Sequence, residues 1–272
     1  MSNDSETSPG SELNWGFLSR VSFEISIILI LAALGCTNQQ APKNKVIVLI
    51  SANAEWRVVK SVYPNERYQS SPWGEYFEKE IQTSKGNEMV TFFHEGWGKV
   101  AAAGATQYAI DRWNPEILIN LGTCGGFEGS VNRFDILLIG KTVIYDIKEA
   151  MGDSKEAIND YTTTLDFSWL TVPDSIKKSI LVSADRDLVP EEIESLKKNY
   201  SAIAGDWETG AIAYTCQRNK KKLLVLRGVS DLVSDKGGEA YSKPEVFQNG
   251  TEVVMMKLLH DLPRWMDAIN KN

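Results

Sequence analysis

Three carboxylates occupy positions where an α/β chain gathers its ligands. Glu55 follows the apolar run Lys45 to Ser51 (KVIVLIS), Glu208 closes the segment Asp206-Trp207-Glu208 at the opening of a helical stretch, and Asp231 follows the apolar run Leu223 to Val229. The ends of buried strands form the crevice in which such sheets bind ligands, so an acid at a strand exit carries a chemical reading. Structural readings compete with it. Ser230-Asp231 equally suits an N-cap for the segment that follows, and an acid in the first turn of a helix is favoured by the helix dipole alone, which covers Glu208.

Two glycine-rich segments lie between these acids. Gly96-Trp97-Gly98-Lys99-Val100-Ala101 matches the G-x-G-x-x-A pattern of dinucleotide sites between a strand and a helix. That pattern requires an acid at the end of the next strand to hold a ribose. The next strand, Glu116 to Leu121, runs instead into Gly122-Thr123-Cys124-Gly125-Gly126, so the dinucleotide reading is rejected. Glycines at such an exit let backbone approach a ligand or form an ordinary tight turn.

With 272 residues, 43% of them apolar, the chain can bury one substantial core. A net charge of −7 and no basic cluster beyond Lys220-Lys221-Lys222 argue against a nucleic-acid surface. Cys36, Cys124 and Cys216 are too scattered for a disulfide framework or a C-x-x-C site, and with only His94 and His260 no metal site is indicated. Cys124 and Cys216 read as small buried hydrophobes.

Residues 1 to 44 differ from the rest. Ile25 to Gly35 is an apolar run of about eleven residues, too short to span a bilayer comfortably, and it ends at Cys36 before a polar stretch. The segment resembles a bacterial lipoprotein signal, with small residues for cleavage and Cys36 for lipidation, which implies a membrane-anchored protein of the cell envelope. Its acids Asp4, Glu6, Glu12 and Glu24 against the lone Arg20 depart from a positive leader, and a start nearer Leu18 would restore the pattern. The alternatives are a disordered or membrane-tethered tail and, for location, a cytoplasmic protein.

The elements that must position the acids alternate along 45–272. After Lys45 to Ser51 come a helix ending before Pro64, a hairpin of Gly74 to Ile81 with Met89 to Glu95, and a small-residue helix Lys99 to Trp113. A strand Asp135 to Ile144 precedes a polar, irregular excursion Tyr145 to Leu170. Ile180 to Ser183 reads as a strand, Pro190 to Asn199 as a helix and Ser201 to Ala204 as a strand leading to the helix behind Glu208. A last helix from Lys243 to about Ile269 should pack Val253, Met256, Leu259 and Trp265 on the sheet, with a kink at Pro263. The alternation predicts an α/β domain, a three-layer αβα arrangement with a mixed central β-sheet.

The order and spacing of four segments carry a resemblance. Gly96-Trp-Gly-Lys-Val-Ala-Ala-Ala, Asn120-Leu-Gly-Thr-Cys-Gly-Gly, Trp207-Glu208-Thr-Gly-Ala-Ile-Ala and Arg227-Gly-Val-Ser-Asp231 resemble the nucleoside phosphorylase and nucleosidase superfamily over about residues 45 to 265. Within it the chain resembles the 5′-methylthioadenosine/S-adenosylhomocysteine nucleosidases, including the plant-type members. The resemblance implies a nucleoside phosphorylase-like fold, a small-molecule nucleoside substrate, a homodimer and no cofactor. It implies that Glu55 activates water, that Asp231 protonates the departing purine and that Glu208 holds the ribose hydroxyls. Thr123 and Gly125 fall where the family's glycine loop meets the nucleoside, and Leu188 near the residue whose backbone reads the base.

Three positions depart from the family's pattern. Trp207 stands where a methionine is usual, Arg186-Asp187 where an apolar or aromatic residue lies near the base, and Trp97 where a smaller aliphatic residue is usual. Trp207 reshapes the sugar side of the pocket, and Asp187 suits a base edge other than adenine's. A phosphorylase of this fold resembles one with a Gly-Asp-Pro segment and an arginine at the first strand exit. Here that exit reads Ser51-Ala-Asn-Ala-Glu55, and a carboxylate repels phosphate. Hydrolysis is therefore the expected reaction, with phosphorolysis and a non-catalytic envelope nucleoside-binding protein as the alternatives.

Overall fold

The computed structural model describes residues 46–173, 176 and 178–269. The leader expected over 1–44, with Cys36, lies outside the described residues. In chain order the elements are β1 (Val46–Ile50), α1 (Asn53–Val62), β2 (Gln69–Ser70), β3 (Glu75–Thr83), β4 (Gly86–His94), α2 (Gly98–Trp113), β5 (Ile117–Phe127) and β6 (Ile136–Ile144). There follow α3 (Ser154–Asp160), β7 (Thr162–Thr164), β8 (Lys178–Ser183), a short 3-10 turn Pro190–Glu192, α4 (Ile193–Tyr200), β9 (Ala204–Asp206), α5 (Thr209–Arg218), β10 (Lys222–Ser234), β11 (Gly237–Gly238) and α6 (Pro244–Asp267).

β1 has no polar face because it is covered on both sides. Its Val46, Val48 and Ile50 pack into one core cluster with Trp56 and Val59 of α1 and Met255 and Leu258 of α6. Its Ile47 and Leu49 pack into another with Ala102 and Ala105 of α2 and Ile212 of α5. Successive strand residues point to opposite faces, so this sorting fixes two helical layers around one sheet. The α/β expectation with a mixed sheet holds. β1 pairs parallel with β4 and β5, whereas β3 pairs antiparallel with β4.

One half of the sheet closes on itself. β5 pairs with β10, β10 with β6, β6 with β8, β8 with β9, and β9 returns to β5, which makes a five-strand ring. Closure needs strands long enough to bend past one another. β5 and β10 supply that length, and this corrects two expectations. Gly122-Thr123-Cys124-Gly125-Gly126 is not a loop beyond the strand but the second half of β5, and Asp231 is not a helix cap but lies inside β10.

β10 carries a bulge at Asp231's doorstep. Val229 pairs with Cys124 and Asp231 with Gly125, so Ser230 is an extra residue. An inserted residue reverses the alternation beyond it. Val229 and Leu232 accordingly pack on the same cluster, and Asp231 is freed from the core face that its spacing from Val229 would otherwise give it.

α6 corrects the expected packing face. Leu259 and Trp265 are buried, but Val253 and Met256 are 47% and 49% exposed, while Val254 and Met255 lie in the core. The helix is rotated so that Gly250 faces β10. A Cβ there would lie 2.2 Å from the Ser230 carbonyl oxygen, an approach only glycine allows. The Tyr145 to Leu170 excursion is likewise more ordered than expected, since it contains α3 and β7.

Candidate active site

One cavity of about 630 Å³ receives residues from most of the ring. Glu55, Trp97, Thr123, Gly125, Asp187, Leu188, Trp207, Glu208 and Asp231 all line it, so the nine described candidates from the sequence face one cavity. They arrive from α1, the turn before α2, β5, the segment after β8, the entry to α5, and β10.

Glu55 is fixed at both oxygens. Oε1 accepts the Thr123 backbone N–H at 2.6 Å and the Thr123 hydroxyl at 2.8 Å, and Oε2 accepts the Ala52 N–H at 3.0 Å. The last bond closes the first turn of α1, so the same carboxylate caps its helix and faces the cavity. The glycine run explains how β5 comes so close. A Cβ at Gly122 would lie 1.7 Å from Arg227 Nη1 and 2.8 Å from Glu55 Oε1.

Arg227 is the residue whose weight the sequence reading missed. It is fully buried, and its guanidinium meets Asp206 at 2.9 Å, the Asn120 side-chain oxygen at 2.8 Å, the Thr209 hydroxyl at 2.7 Å and Glu55 at 3.8 Å. A buried guanidinium needs such a set of acceptors, because the cost of losing water must be offset by charge and hydrogen bonds. The signal was present: an arginine inside the apolar run Leu223-Leu-Val-Leu-Arg-Gly-Val requires a buried acid elsewhere. Asp206 is that acid, held also by the Ser183 hydroxyl at 2.6 Å.

Glu208 accepts the Gly98 N–H at 3.0 Å. Burial first, then the charge of Asp206, pushes its carboxyl up to about 8, against the Gly98 bond and Arg227. The neighbouring Lys99 N–H goes to Asp185 at 2.7 Å, and the Lys99 ammonium pairs with Asp146. The start of α2 thus gives its free N–H groups to two carboxylates, which agrees with rejecting a dinucleotide phosphate there. Gly96 and Gly98 have φ of +84° and +80°, the conformation that turns the chain into the helix.

Asp231 is buried, and Ser230 Oγ donates to its Oδ1 at 2.6 Å. Burial raises its pKa; the Ser230 bond opposes the shift, and Glu239 and Asp187 add to it. Two acids of the wall therefore favour holding a proton, both chiefly through burial and each helped by its own acidic neighbours. A further buried acid, Glu95, sits behind the wall, where its carboxyl accepts from Thr106 at 2.8 Å and lies 3.4 Å from Ser51 Oγ. Burial pushes it up to about 8. Tyr241, also missed, reaches in from the segment before α6, and its hydroxyl donates to the Leu188 carbonyl. Among the described residues no cluster of three or more His, Cys, Asp or Glu could hold a metal, and no helix is long and apolar enough to cross a membrane.

Comparison with known proteins places this geometry in context. The family model described as the phosphorylase superfamily matches residues 46–259. The Thermotoga maritima 5′-methylthioadenosine/S-adenosylhomocysteine nucleosidase is 30% identical over 147 residues, which cover 54% of this chain and 67% of that protein. The apo structure of Arabidopsis thaliana 5′-methylthioadenosine nucleosidase superposes with a TM-score of 0.67 at 22% identity, covering 85% of this chain and 98% of that one. Helicobacter pylori futalosine hydrolase gives 0.67 at 16%, covering 82% and 98%. The likeness to these two structures shows the fold.

Two outcomes test this arrangement. Arg227→Met strands Asp206 without its cation and should cost about 3–5 kcal/mol in urea unfolding. Glu95 is raised from 4.5 unfolded to about 8 folded, so its stabilising share is full below about pH 4.5 and is lost as pH rises through about 8. Unfolding midpoints measured from pH 5 to pH 9 should therefore decline, and Glu95→Gln should make the decline shallower.

Proposed function

The chain belongs to the phosphorylase superfamily, and on that premise we propose that it hydrolyses the N-ribosyl bond of a purine nucleoside. The substrate is the 5′-methylthioadenosine or S-adenosylhomocysteine named in its relatives, or a nucleoside related to them. The observation that carries this reading is the convergence of Glu55, Glu208 and Asp231, remote in the chain, on one cavity.

Breaking an N-ribosidic bond passes through an oxocarbenium-like state, so the leaving base must gain a proton while water is activated on the other face of the sugar. Asp231, with its raised pKa, supplies the proton as the C–N electron pair departs with the purine. Glu55, immobilised by Thr123 and Ala52, takes a proton from the water whose oxygen bonds to the sugar carbon. Glu208 holds the ribose hydroxyls. The carboxylate form of Glu208 stabilises the positive charge that grows on the ring. The products are free base and free sugar.

Hydrolysis rather than phosphorolysis follows from the cations. Phosphate needs fixed positive partners. Arg227 is buried and committed to Asp206, Asn120 and Thr209, Arg57 is exposed and outside the cavity wall, and of the two cations that line the cavity Arg186 is paired with Glu192 and Lys243 is exposed at the start of α6.

The decisive experiment incubates the purified chain with a nucleoside panel, with and without phosphate, and identifies the sugar. Free sugar at equal rates in both is expected. Sugar 1-phosphate would make it a phosphorylase, and binding without turnover would leave a nucleoside-binding protein. Glu55→Gln and Asp231→Asn should each lower kcat by about 100-fold or more with an unchanged circular dichroism spectrum. A near-normal rate in either removes that residue from the mechanism.

For residues 1–44 we propose a lipoprotein leader, with the catalytic domain tethered through Cys36 in the cell envelope and paired as a homodimer. Cys36→Ala should move the protein from the membrane to the soluble fraction. Unchanged fractionation would refute the anchor, and a monomeric mass by light scattering would refute the pairing.

A further inference from the structure

The cavity has two chemically different ends. At one, Glu55, Thr123 and Glu208 gather near Arg227. At the other, Asp231, Asp187, Leu188 and Tyr241 share the wall, and Asp187 lies close enough to bias both Asp231 and Tyr241 electrostatically.

The side chains at this second end are rich in acceptors. Asp187 is exposed and receives no hydrogen bond among the described residues. The Tyr241 hydroxyl gives its proton to the Leu188 carbonyl, so what it retains for a ligand is lone pairs. Nearby cations are largely occupied. Arg186, which also lines the cavity, bonds Glu192 at 2.5 Å and lies 5.2 Å over the Tyr145 ring, with its Nε buried and without a hydrogen-bond partner, while Arg133 meets Glu239 at 3.7 Å. Lys243 stands exposed at the start of α6 and can complement a carbonyl oxygen.

A ligand edge that fits must bring donors to Asp187. Guanine sets N1–H and its 2-amino group side by side, matched to the two oxygens of one carboxylate, and offers O6 beside them. Hypoxanthine offers N1–H alone. Adenine offers its 6-amino group but turns the N1 lone pair toward the second carboxylate oxygen, which repels it. We infer that Asp187 reads the base and that the site takes a 2-amino-6-oxopurine nucleoside, the guanine class, in preference to adenine. The inference rests on the hydrolase reading for which end of the cavity holds the base. A polar site rejects an analogue that lacks its donors far more strongly than an apolar pocket rejects a changed shape. For a carboxylate still open to water the preference expected is about 100-fold.

The test separates this from turnover. Guanosine, inosine, adenosine and their 5′-methylthio counterparts are titrated calorimetrically into Glu55→Gln, in which bound nucleoside survives, and into Glu55→Gln combined with Asp187→Asn or Asp187→Leu. Guanine nucleosides should bind the first protein about 100-fold more tightly than adenine nucleosides, with hypoxanthine between, and the advantage should fall below about 3-fold in both double variants. Equal or tighter binding of adenine nucleosides overturns the inference and leaves the hydrolase reading intact. So does a guanine advantage that survives loss of the Asp187 carboxylate. Absence of binding by every nucleoside overturns both.

Discussion

A single buried cation sets the terms for everything around it. Arg227 has no water to solvate it, so each of its acceptors must hold still: Asp206 at the end of β9, Thr209 in α5, Asn120 in β5 and, further off, Glu55 in α1. Four elements are thereby pinned to one guanidinium on β10. None can move without exposing an unpaired charge to a low-dielectric interior, a cost comparable to a large part of a domain's stability. The geometry of Glu55, the second acid that Arg227 meets, is in this sense a by-product of keeping the guanidinium paired.

Asp231 is controlled by a different device. The extra residue at Ser230 reverses the alternation of β10, and the serine hydroxyl then bonds the acid it has displaced. α6 lies against this spot through Gly250, and Gly228 is packed under Val254, where an added Cβ would come within 2.4 Å. Asp231 and Glu55 are thus held by separate means, one inside β10 and the other in α1 through Thr123 of β5, two strands that pair along most of their length. Their environments differ accordingly, as the opposite duties proposed for the two carboxyl groups require.

Much of this was legible in the sequence, and the reasons differ by residue. β1 could be read as a central strand because KVIVLIS has no polar face, and Glu55 followed from its end. Asp231 and the glycine run were placed one step short, since a strand that closes a ring continues past the point where its apolar pattern stops. No local pattern announces a bulge or a ring, which depend on pairings between residues a hundred positions apart. The face of α6 was misjudged because Val253-Val-Met-Met256 offers two apolar stripes, and only the fit of Gly250 to Ser230 decides between them. Arg227 was visible as a charge in an apolar run, but its partner Asp206 could not be chosen among the chain's many acids without the fold.

The two described cysteines carry a consequence for where the domain can work. Cys124 and Cys216 are buried to within 3% and 1% of complete enclosure, and burial is the main force raising both thiols above their ordinary range. Since the thiolate is the species that attacks oxidants and disulfides, enclosure makes both sulfurs chemically silent while the domain stays closed. The two thiols are therefore shielded from the redox state of the surroundings, and passage between a reducing and an oxidising compartment would leave both unchanged in the core.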